Sequence, residues 1–346
     1  MPVSKGAKAL AADYNAVRDL YNEYWSDIHT TSAFADADKT NHKKGWGQAS
    51  VKVDASGNTA VTQSSVVESQ HINRLIAQVN TGYYHTDETA TLNNQYVAGT
   101  VILDTHLNEV ETDVNAIVSD QYGLNTVDRI YSPSEITISS GLTWGGSGGD
   151  GIYCVGKYSF TNYTQARYFF NAGGVLTLDP SSTQVGAVDE AWDDLFTLVG
   201  EIHVRAIDVL GTGTSPGTNS GGGFYDLTTT DAILWSFAGG SAYSYTYGGR
   251  RLEILARGDE PSGAGNQFDV YVTFKLFDDT TEVTSTDDQI DLDMGYIVPD
   301  ESPDPTVMST SASQYFQTTH NSVTDDYIFQ AREEPTLVQE TAWTAF

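Results

Sequence analysis

The stretch Phe268-Asp269-Val270-Tyr271-Val272-Thr273-Phe274-Lys275-Leu276-Phe277 has the clearest pattern in the chain. Apolar side chains occupy every second position from Phe268 to Leu276, and polar or amphipathic ones lie between them. Successive side chains of a β-strand point to opposite faces of the sheet, so this pattern predicts a strand with one buried face. Alternation of this kind is typical of antiparallel sheets, which pack one face on a core.

Shorter runs of the same kind flank this stretch and are separated by glycine-rich turns. They predict strands at residues 135–139, 151–160, 175–179, 200–209, 232–237, 251–257 and 327–332. One helix is predicted among them, within residues 182–199. About eight short strands with helical content segregated at one end indicate an α+β fold, in which an antiparallel β-sandwich occupies residues 123–298.

Residues 1–122 carry helical periodicity instead, interrupted by a long loop near 30–66. Apolar residues recur at three- and four-residue spacing in three segments, which predicts three amphipathic helices. The stripes are Leu10, Tyr14, Val17, Tyr21, Tyr24 and Ile28; then Ile72, Leu75, Ile76 and Val79; then Leu107, Val110, Val114, Ile117 and Val118.

The three helices repeat one pattern, an apolar residue followed by Asn, at heptad spacing. The asparagines are Asn15 and Asn22, Asn73 and Asn80, and Asn108 and Asn115. A seven-residue repeat places side chains along one seam, as in helices that pack nearly parallel. Two heptads per helix favour a helical bundle over a dimeric or trimeric coiled coil. His71 and His106 occupy the same position of the repeat, which favours a shared structural role over a metal site.

The net charge of the chain limits the kinds of molecule that it can bind. The chain has 17 Lys and Arg against 46 Asp and Glu, a net charge of −29. This argues against nucleic-acid binding, which depends on clustered basic residues, and against anionic membrane surfaces. No stretch approaches the roughly 20 apolar residues of a membrane span, and no signal peptide is visible.

Residues 299–346 have three prolines near their start, Pro299, Pro303 and Pro305. They are predicted to form an extended C-terminal arm that packs on a neighbouring subunit.

No sequence motif predicts catalysis. None of the seven histidines forms a metal-ligand pair, and phosphate-binding motifs do not occur. The stretch Gly145-Gly146-Ser147-Gly148-Gly149 has the letters of Gly-x-Ser-x-Gly, but we interpret it as a flexible glycine stretch and not as a nucleophile elbow between a strand and a helix. The only cysteine, Cys154, lies in an apolar run and is expected to be a buried hydrophobic residue. Acidic residues at 278–279 and 287–293 suit calcium, but their spacing does not match an EF-hand, so a solvated strand face is favoured. We expect no enzyme activity and no cofactor.

Three alternating tyrosines, Tyr243, Tyr245 and Tyr247, would share one strand face. Aromatic faces of this kind fill protein interfaces or stack on sugars. Packing in a core or between subunits is favoured over glycan binding.

The segment Ala166-Arg167-Tyr168-Phe169-Phe170-Asn171-Ala172-Gly173-Gly174 is the most specific motif. We expect Phe169 and Phe170 on opposite faces of a strand, and Asn171, Gly173 and Gly174 in a turn with positive φ. Arg167, one of few cations, is expected to pair with a carboxylate.

This motif resembles the Ala-Arg-(Tyr or His)-Phe-Phe-Asn-(small)-Gly-Gly stretch in a family of virion structural proteins of tailed, marine cyanophage-like bacteriophages. Ala12-Asp13-Tyr14-Asn15, Gly45-Trp46-Gly47-Gln48 and the Asn-bearing helices look like the N-terminal half of the same family. The resemblance implies a protein that assembles into the virion in the host cytoplasm. It implies a homo-oligomeric tail, neck or fibre component that contacts other virion proteins. The alternatives are a capsid decoration protein, a receptor-binding module for host glycans and, ranked last, a glycan-degrading appendage.

Overall fold

Three helices come first along the chain, and the strands follow with two further helices among them. The computed structural model describes residues 9–26, 34, 39–48, 61–62, 66–86, 96–97, 99–124, 129–132, 136–142, 144–145, 150–183, 187–220, 222–238, 249–259, 267–278, 283–284, 289–299, 317–320, 323–326 and 333–346. The helices are α1 (Ala11–Trp25), α2 (Ser69–His85), α3 (Asp104–Ser119), α4 (Tyr163–Asn171) and α5 (Ala187–Val199).

The first three helices pack on one another within the chain, as a bundle. Two tyrosines one heptad apart on α1 align it with α2: Tyr14 donates a hydrogen bond to the His71 carbonyl at 3.3 Å, and Tyr21 donates to the Gln78 carbonyl. The bundle core contains the predicted apolar stripes, among them Val17, Ile72, Leu75, Val79, Leu107, Val110, Val114 and Ile117.

Sixteen strands follow in the described part of the chain. They are β1 (Arg129–Tyr131), β2 (Ile136–Ser139), β3 (Trp144–Gly145), β4 (Asp150–Phe160), β5 (Val175–Thr183), β6 (Ile202–Val204), β7 (Val209–Gly211), β8 (Thr218–Asn219), β9 (Ala232–Ala238), β10 (Arg250–Gly258), β11 (Phe268–Asp278), β12 (Val283–Thr284), β13 (Gln289–Pro299), β14 (Gln317–His320), β15 (Val323–Asp326) and β16 (Thr336–Ala345).

Two six-stranded antiparallel sheets form the β part. One has the order β1-β13-β5-β6-β7, with β2 also paired to β13, and the other has the order β16-β4-β11-β10-β9-β8. Inward-facing residues of both sheets share one core, for example Leu292 and Met294 from the first and Val272 and Phe274 from the second. The predicted α+β class, with a helical region before an antiparallel sandwich, is confirmed.

The longest predicted strand lies inside its sheet. β11 pairs with β4 along its whole length, from Phe268 opposite Phe160 to Asp278 opposite Asp150, and with β10 on its other side. Phe268, Val270, Val272 and Phe274 are all fully buried. The period-two pattern therefore identified a strand with one face in the core.

Several boundaries differ from the prediction. The predicted helix at 182–199 begins at Ala187, because β5 extends to Thr183 to stay paired with β13. The predicted strand at 200–209 is two strands, β6 and β7, joined by a turn that the Arg205–Asp208 ion pair closes. The predicted strand at 327–332 lies outside the described residues.

The predicted arm, 299–346, needs correction at its end. β16 pairs with β4 and is an edge strand of the sandwich in its own chain. Trp343 secures it: the side chain is buried, and its Nε1 donates to the Ile138 carbonyl at 2.8 Å. Trp343 thus ties β16 to the opposite sheet as well.

A candidate structural junction between the helices and the sandwich

The Phe-Phe-Asn motif lies on helix α4, where a strand was predicted. Asn162 caps the start of the helix by accepting from the Gln165 N–H at 3.0 Å. At the other end Gly173 has a φ of +84°. The N–H groups of Gly173 and Gly174 bond to the carbonyls of Phe170 and Phe169 at 3.1 and 2.9 Å, the hydrogen-bond pattern of a Schellman motif. The expected positive-φ turn is therefore a helix end rather than a hairpin.

Phe169 and Phe170 both enter the same core, which corrects the prediction of opposite strand faces. Their rings meet edge to face with centroids 5.0 Å apart, and Phe170 stacks on Phe224 at 4.3 Å. Adjacent helical residues can share a core when that core surrounds the helix on two sides. Gly174 is required here because a Cβ would lie 2.5 Å from the Phe169 carbonyl oxygen.

Arg167 and Asn171 lie one helical turn apart and bind the same piece of chain. Arg167 Nη1 donates to the carbonyls of His42 and Lys44 at 3.1 and 3.0 Å. Asn171 Nδ2 lies 3.0 Å from the His42 carbonyl oxygen, 2.9 Å from that of Lys44 and 3.1 Å from that of Gly45. The expected carboxylate partner of Arg167 is replaced in these contacts by main-chain oxygens. Both side chains are almost completely buried, at 1% and 0% exposure.

Tyr225, from a 3₁₀ helix at Phe224–Asp226, completes this hydrogen-bond network. Its hydroxyl oxygen lies 2.5 Å from the His42 carbonyl oxygen and 2.7 Å from Asn171 Oδ1. Burial raises the pKa of Tyr225 well above its ordinary value, and nearby Arg167 opposes this shift in part. The hydroxyl therefore stays protonated and can donate across the physiological range.

The loop Gly45-Trp46-Gly47-Gln48 lies on the other side of these contacts. The Trp46 N–H bonds to the Tyr24 carbonyl at 2.6 Å, at the end of α1, and its Nε1 donates to the Gln121 carbonyl at 3.1 Å, just after α3. Gly47 has a φ of +68°, and a Cβ there would lie 2.7 Å from the Tyr168 ring. The motif segment and the Gly45–Gln48 loop, distant in sequence, are thus in direct contact.

We call residues 42–48, α4 and Tyr225 the junction, because they join the helical bundle to the sandwich. Sequence reasoning found Arg167, Tyr168, Phe169, Phe170, Asn171, Gly173 and Gly174 but missed His42, Trp46 and Tyr225 as their partners. One signal was available for the helix: Arg167 and Asn171 have the i, i+4 spacing of a shared helix face.

The other candidate residues from the sequence analysis are buried or make hydrogen bonds and ion pairs within the fold. Cys154 is fully buried, and burial raises its pKa. His71 and His106 have the same role: each Nδ1 accepts the N–H of the residue before its helix, at 3.0 and 3.2 Å. Asp278 is buried against Arg250, with Oδ2 and Nε 3.5 Å apart. No group of three or more His, Cys, Asp or Glu that could hold a metal ion occurs among the described residues.

Tyr243, Tyr245 and Tyr247 lie outside the described residues, as do Asp279, Asp287 and Asp288. None of the helices in the described ranges is long and apolar enough to cross a membrane.

Comparisons with protein-family models, curated proteins and solved structures found no match to this chain.

Proposed function

We propose that this chain is a non-enzymatic structural protein of a tailed-bacteriophage particle, and that it serves as a homo-oligomeric tail, neck or fibre component. One observation carries the proposal: the two segments with the most distinctive likeness to that virion family, the Phe-Phe-Asn motif and the Gly45–Gln48 loop, bind each other in the junction. The residues that carry the resemblance therefore also hold the fold together.

The chemistry of the junction suits a mechanical role. Arg167 Nη1 and Asn171 Nδ2 donate to backbone carbonyls, and both side chains are buried. Buried networks of this kind, when satisfied, make a fold rigid and specific. A particle component that transmits force between its neighbours gains from such a rigid connection.

An exposed apolar surface at the N-terminal ends of the helices fits docking to another protein. Val66 and Val101, at equivalent places before α2 and α3, are 78% and 53% exposed, and Leu10 before α1 is 63% exposed. Val66 and Val101 also line one cavity. Clustered exposed apolar side chains commonly mark interaction sites.

The strong negative charge suits subunits that must stay soluble before assembly. At −29 the free chains repel one another. Salt screens such repulsion beyond a Debye length of about 8 Å at physiological ionic strength, so assembly is compatible with the charge.

Quantitative mass spectrometry of purified particles tests the proposal. We expect a few copies of this chain per hundred major capsid subunits. A near-equal ratio would replace the tail, neck or fibre assignment with head decoration. Absence of the chain from particles would refute the virion role.

A second experiment addresses docking. Replacing Val66 and Val101 together with Ser should reduce incorporation into particles while leaving the circular dichroism spectrum unchanged. The matched control is Ile233→Ser, which alters an exposed apolar residue on β9, 44% exposed, in the sandwich. Equal incorporation of both variants would exclude this surface as the docking site.

A further inference from the structure

His71 and His106 are each the third residue of a helix and bind the residue that precedes that helix. His71 Nδ1 accepts the N–H of Glu68, the residue before α2, at 3.0 Å. His106 Nδ1 accepts the N–H of Leu103, the residue before α3, at 3.2 Å. A backbone N–H can only donate, so neither Nδ1 carries a proton, and in the neutral ring the proton is on Nε2.

Asp13 occupies the same position in α1. Its Oδ2 accepts the N–H of Leu10, the residue before the helix, at 3.1 Å. Carboxylates in general remain ionised down to about pH 5, whereas histidine side chains take up a proton at about pH 6.5. The three helices therefore begin with the same hydrogen bond, but two of them make it with a group that titrates near neutral pH.

Protonation of either histidine would break this bond. The proton enters at Nδ1, which then faces the backbone N–H as a second donor. The positive charge would also lie in the first turn of a helix, where the helix dipole disfavours cations. Both effects favour the neutral ring in the folded helix start. The two bonds are therefore complete at neutral pH and are lost as the pH falls below about 6.5.

Aromatic rings from other segments pack on both histidines. The Tyr14 ring of α1 lies 5.8 Å from the His71 ring between centroids, and the Tyr96 ring lies 4.8 Å from that of His106. Tyrosine side chains carry no charge in this pH range. The charged residues within one helical turn of the two histidines along the chain are Glu68, Arg74, Asp104 and Glu109. The carboxylates in this set favour uptake of the proton, and the guanidinium opposes it.

The segments held by these bonds also carry exposed apolar surface. Val66 and Val101 each stand two residues before the residue whose N–H is bound, are 78% and 53% exposed, and line one cavity. We propose that His71 and His106 form an acid-sensitive switch: their protonation releases the starts of α2 and α3 and changes the shape of the surface that Val66 and Val101 form. The start of α1 stays closed. This inference does not depend on the proposed function.

Nuclear magnetic resonance of the full chain, labelled with ¹⁵N in its histidines, tests the hydrogen-bond roles. Long-range ¹H–¹⁵N spectra distinguish the two neutral tautomers from each other and from the cation. We expect His71 and His106 to be in the Nε2–H form at pH 7.5 and to become cations as the pH is lowered to 5. The Nδ1–H form at pH 7.5, or rings that are still neutral at pH 5, would overturn the proposal.

Amide hydrogen exchange measures the release itself. A local measurement is needed because buried His85, at the other end of α2, also responds to pH. After correction for the rate in an unstructured chain, the Glu68 and Leu103 N–H groups should be about fivefold less protected at pH 5 than at pH 7.5, the effect of losing roughly one net hydrogen bond. The Leu10 N–H is the internal reference and should keep its protection. An equal change at all three amides would mean general loosening and no switch.

The double variant His71→Asp, His106→Asp copies the arrangement of α1 into the other two helices. Its carboxylates can accept the same N–H groups without taking up a proton between pH 7.5 and 5, so the pH dependence of protection should disappear. The methyl resonances of Val66 and Val101 should shift over this range in the wild-type chain and stay fixed in the variant. The same loss of protection in both proteins, or methyl resonances that stay fixed in the wild type, would contradict the proposal. The measurements on the wild-type chain decide it even if the variant does not fold.

Discussion

The side chain of Met294, on β13, fills the space that a Cβ atom on Gly156 of β4 would need. These two residues belong to opposite sheets, so a glycine of one sheet faces a methionine of the other. Both residues lie in the middle of long, continuously paired strands. A larger side chain at Gly156 can be accepted only if Met294 moves or the sheets separate.

We therefore expect Gly156→Ala to lower the free energy of unfolding by about 1–3 kcal/mol, the usual effect of overpacking a core. Urea denaturation measures the change. Gly141→Ala is the matched control, because a Cβ there meets no atom within 4 Å, and it should change stability by less than about 0.5 kcal/mol.

A double mutant tests the cause. Met294→Ala removes the obstructing group, so adding Gly156→Ala to it should cost less than it costs in the wild-type chain. Strict additivity of the two changes would show that Gly156 does not act through Met294.

The Tyr225 hydroxyl should stabilise the junction. Tyr225→Phe removes the group between the His42 carbonyl and Asn171 Oδ1 and leaves Asn171 Oδ1 without that donor. We expect a loss of about 1–3 kcal/mol in the free energy of unfolding. Tyr131→Phe, at a residue 53% exposed, should be nearly neutral. If both variants unfold at the same urea concentration, the hydroxyl contributes nothing to the junction.

Local patterns predicted most of the elements. In helices α1 to α3 apolar residues recur at the helical period, and in strands such as β4, β10 and β11 they recur at every second position. Such a repeat can be recognised in the sequence without knowing which element packs against it. The N-terminal position of the helices followed from the same patterns.

Helix α4 could not be predicted in this way, because its stability depends on distant residues. The sequence Phe169-Phe170-Asn171, with two glycines after Ala172, has the composition of a strand and a turn. The helix forms because Arg167 and Asn171 reach the carbonyls of residues 42–45, more than 120 positions earlier in the chain. Trp343 is similar, because its hydrogen-bond partner, the Ile138 carbonyl, lies 205 positions earlier in the chain, and no local pattern reveals this contact.

Stability should fall below neutral pH because of His85. Burial lowers its pKa to about 3 from an ordinary value of 6.5, and a hydrogen bond with the Ala172 backbone opposes this shift in part. Between these two values the unfolded chain binds a proton that the folded chain excludes. The stabilisation is therefore complete above about pH 6.5 and declines as the pH falls toward 3, by up to about 1.4 kcal/mol per pH unit.

Urea denaturation at pH 7, 6 and 5 measures this slope before most carboxylates titrate. His85→Gln cannot take up the proton and should have a shallower slope over that range, whatever its stability at pH 7. Parallel slopes for the two proteins would mean that His85 is not the group responsible.

Cys154 should report opening of the sandwich. Its side chain is fully buried on β4, and burial raises the pKa of the thiol, so almost no reactive thiolate is present in the folded protein. We expect no reaction with a thiol reagent such as 5,5′-dithiobis(2-nitrobenzoate) under native conditions and one equivalent in denaturant, since Cys154 is the only cysteine. Val338→Cys, at an exposed position on β16, should add one equivalent that reacts at once. Reaction of Cys154 faster than global unfolding would show that the sandwich core around β4 opens locally while the rest of the chain stays folded.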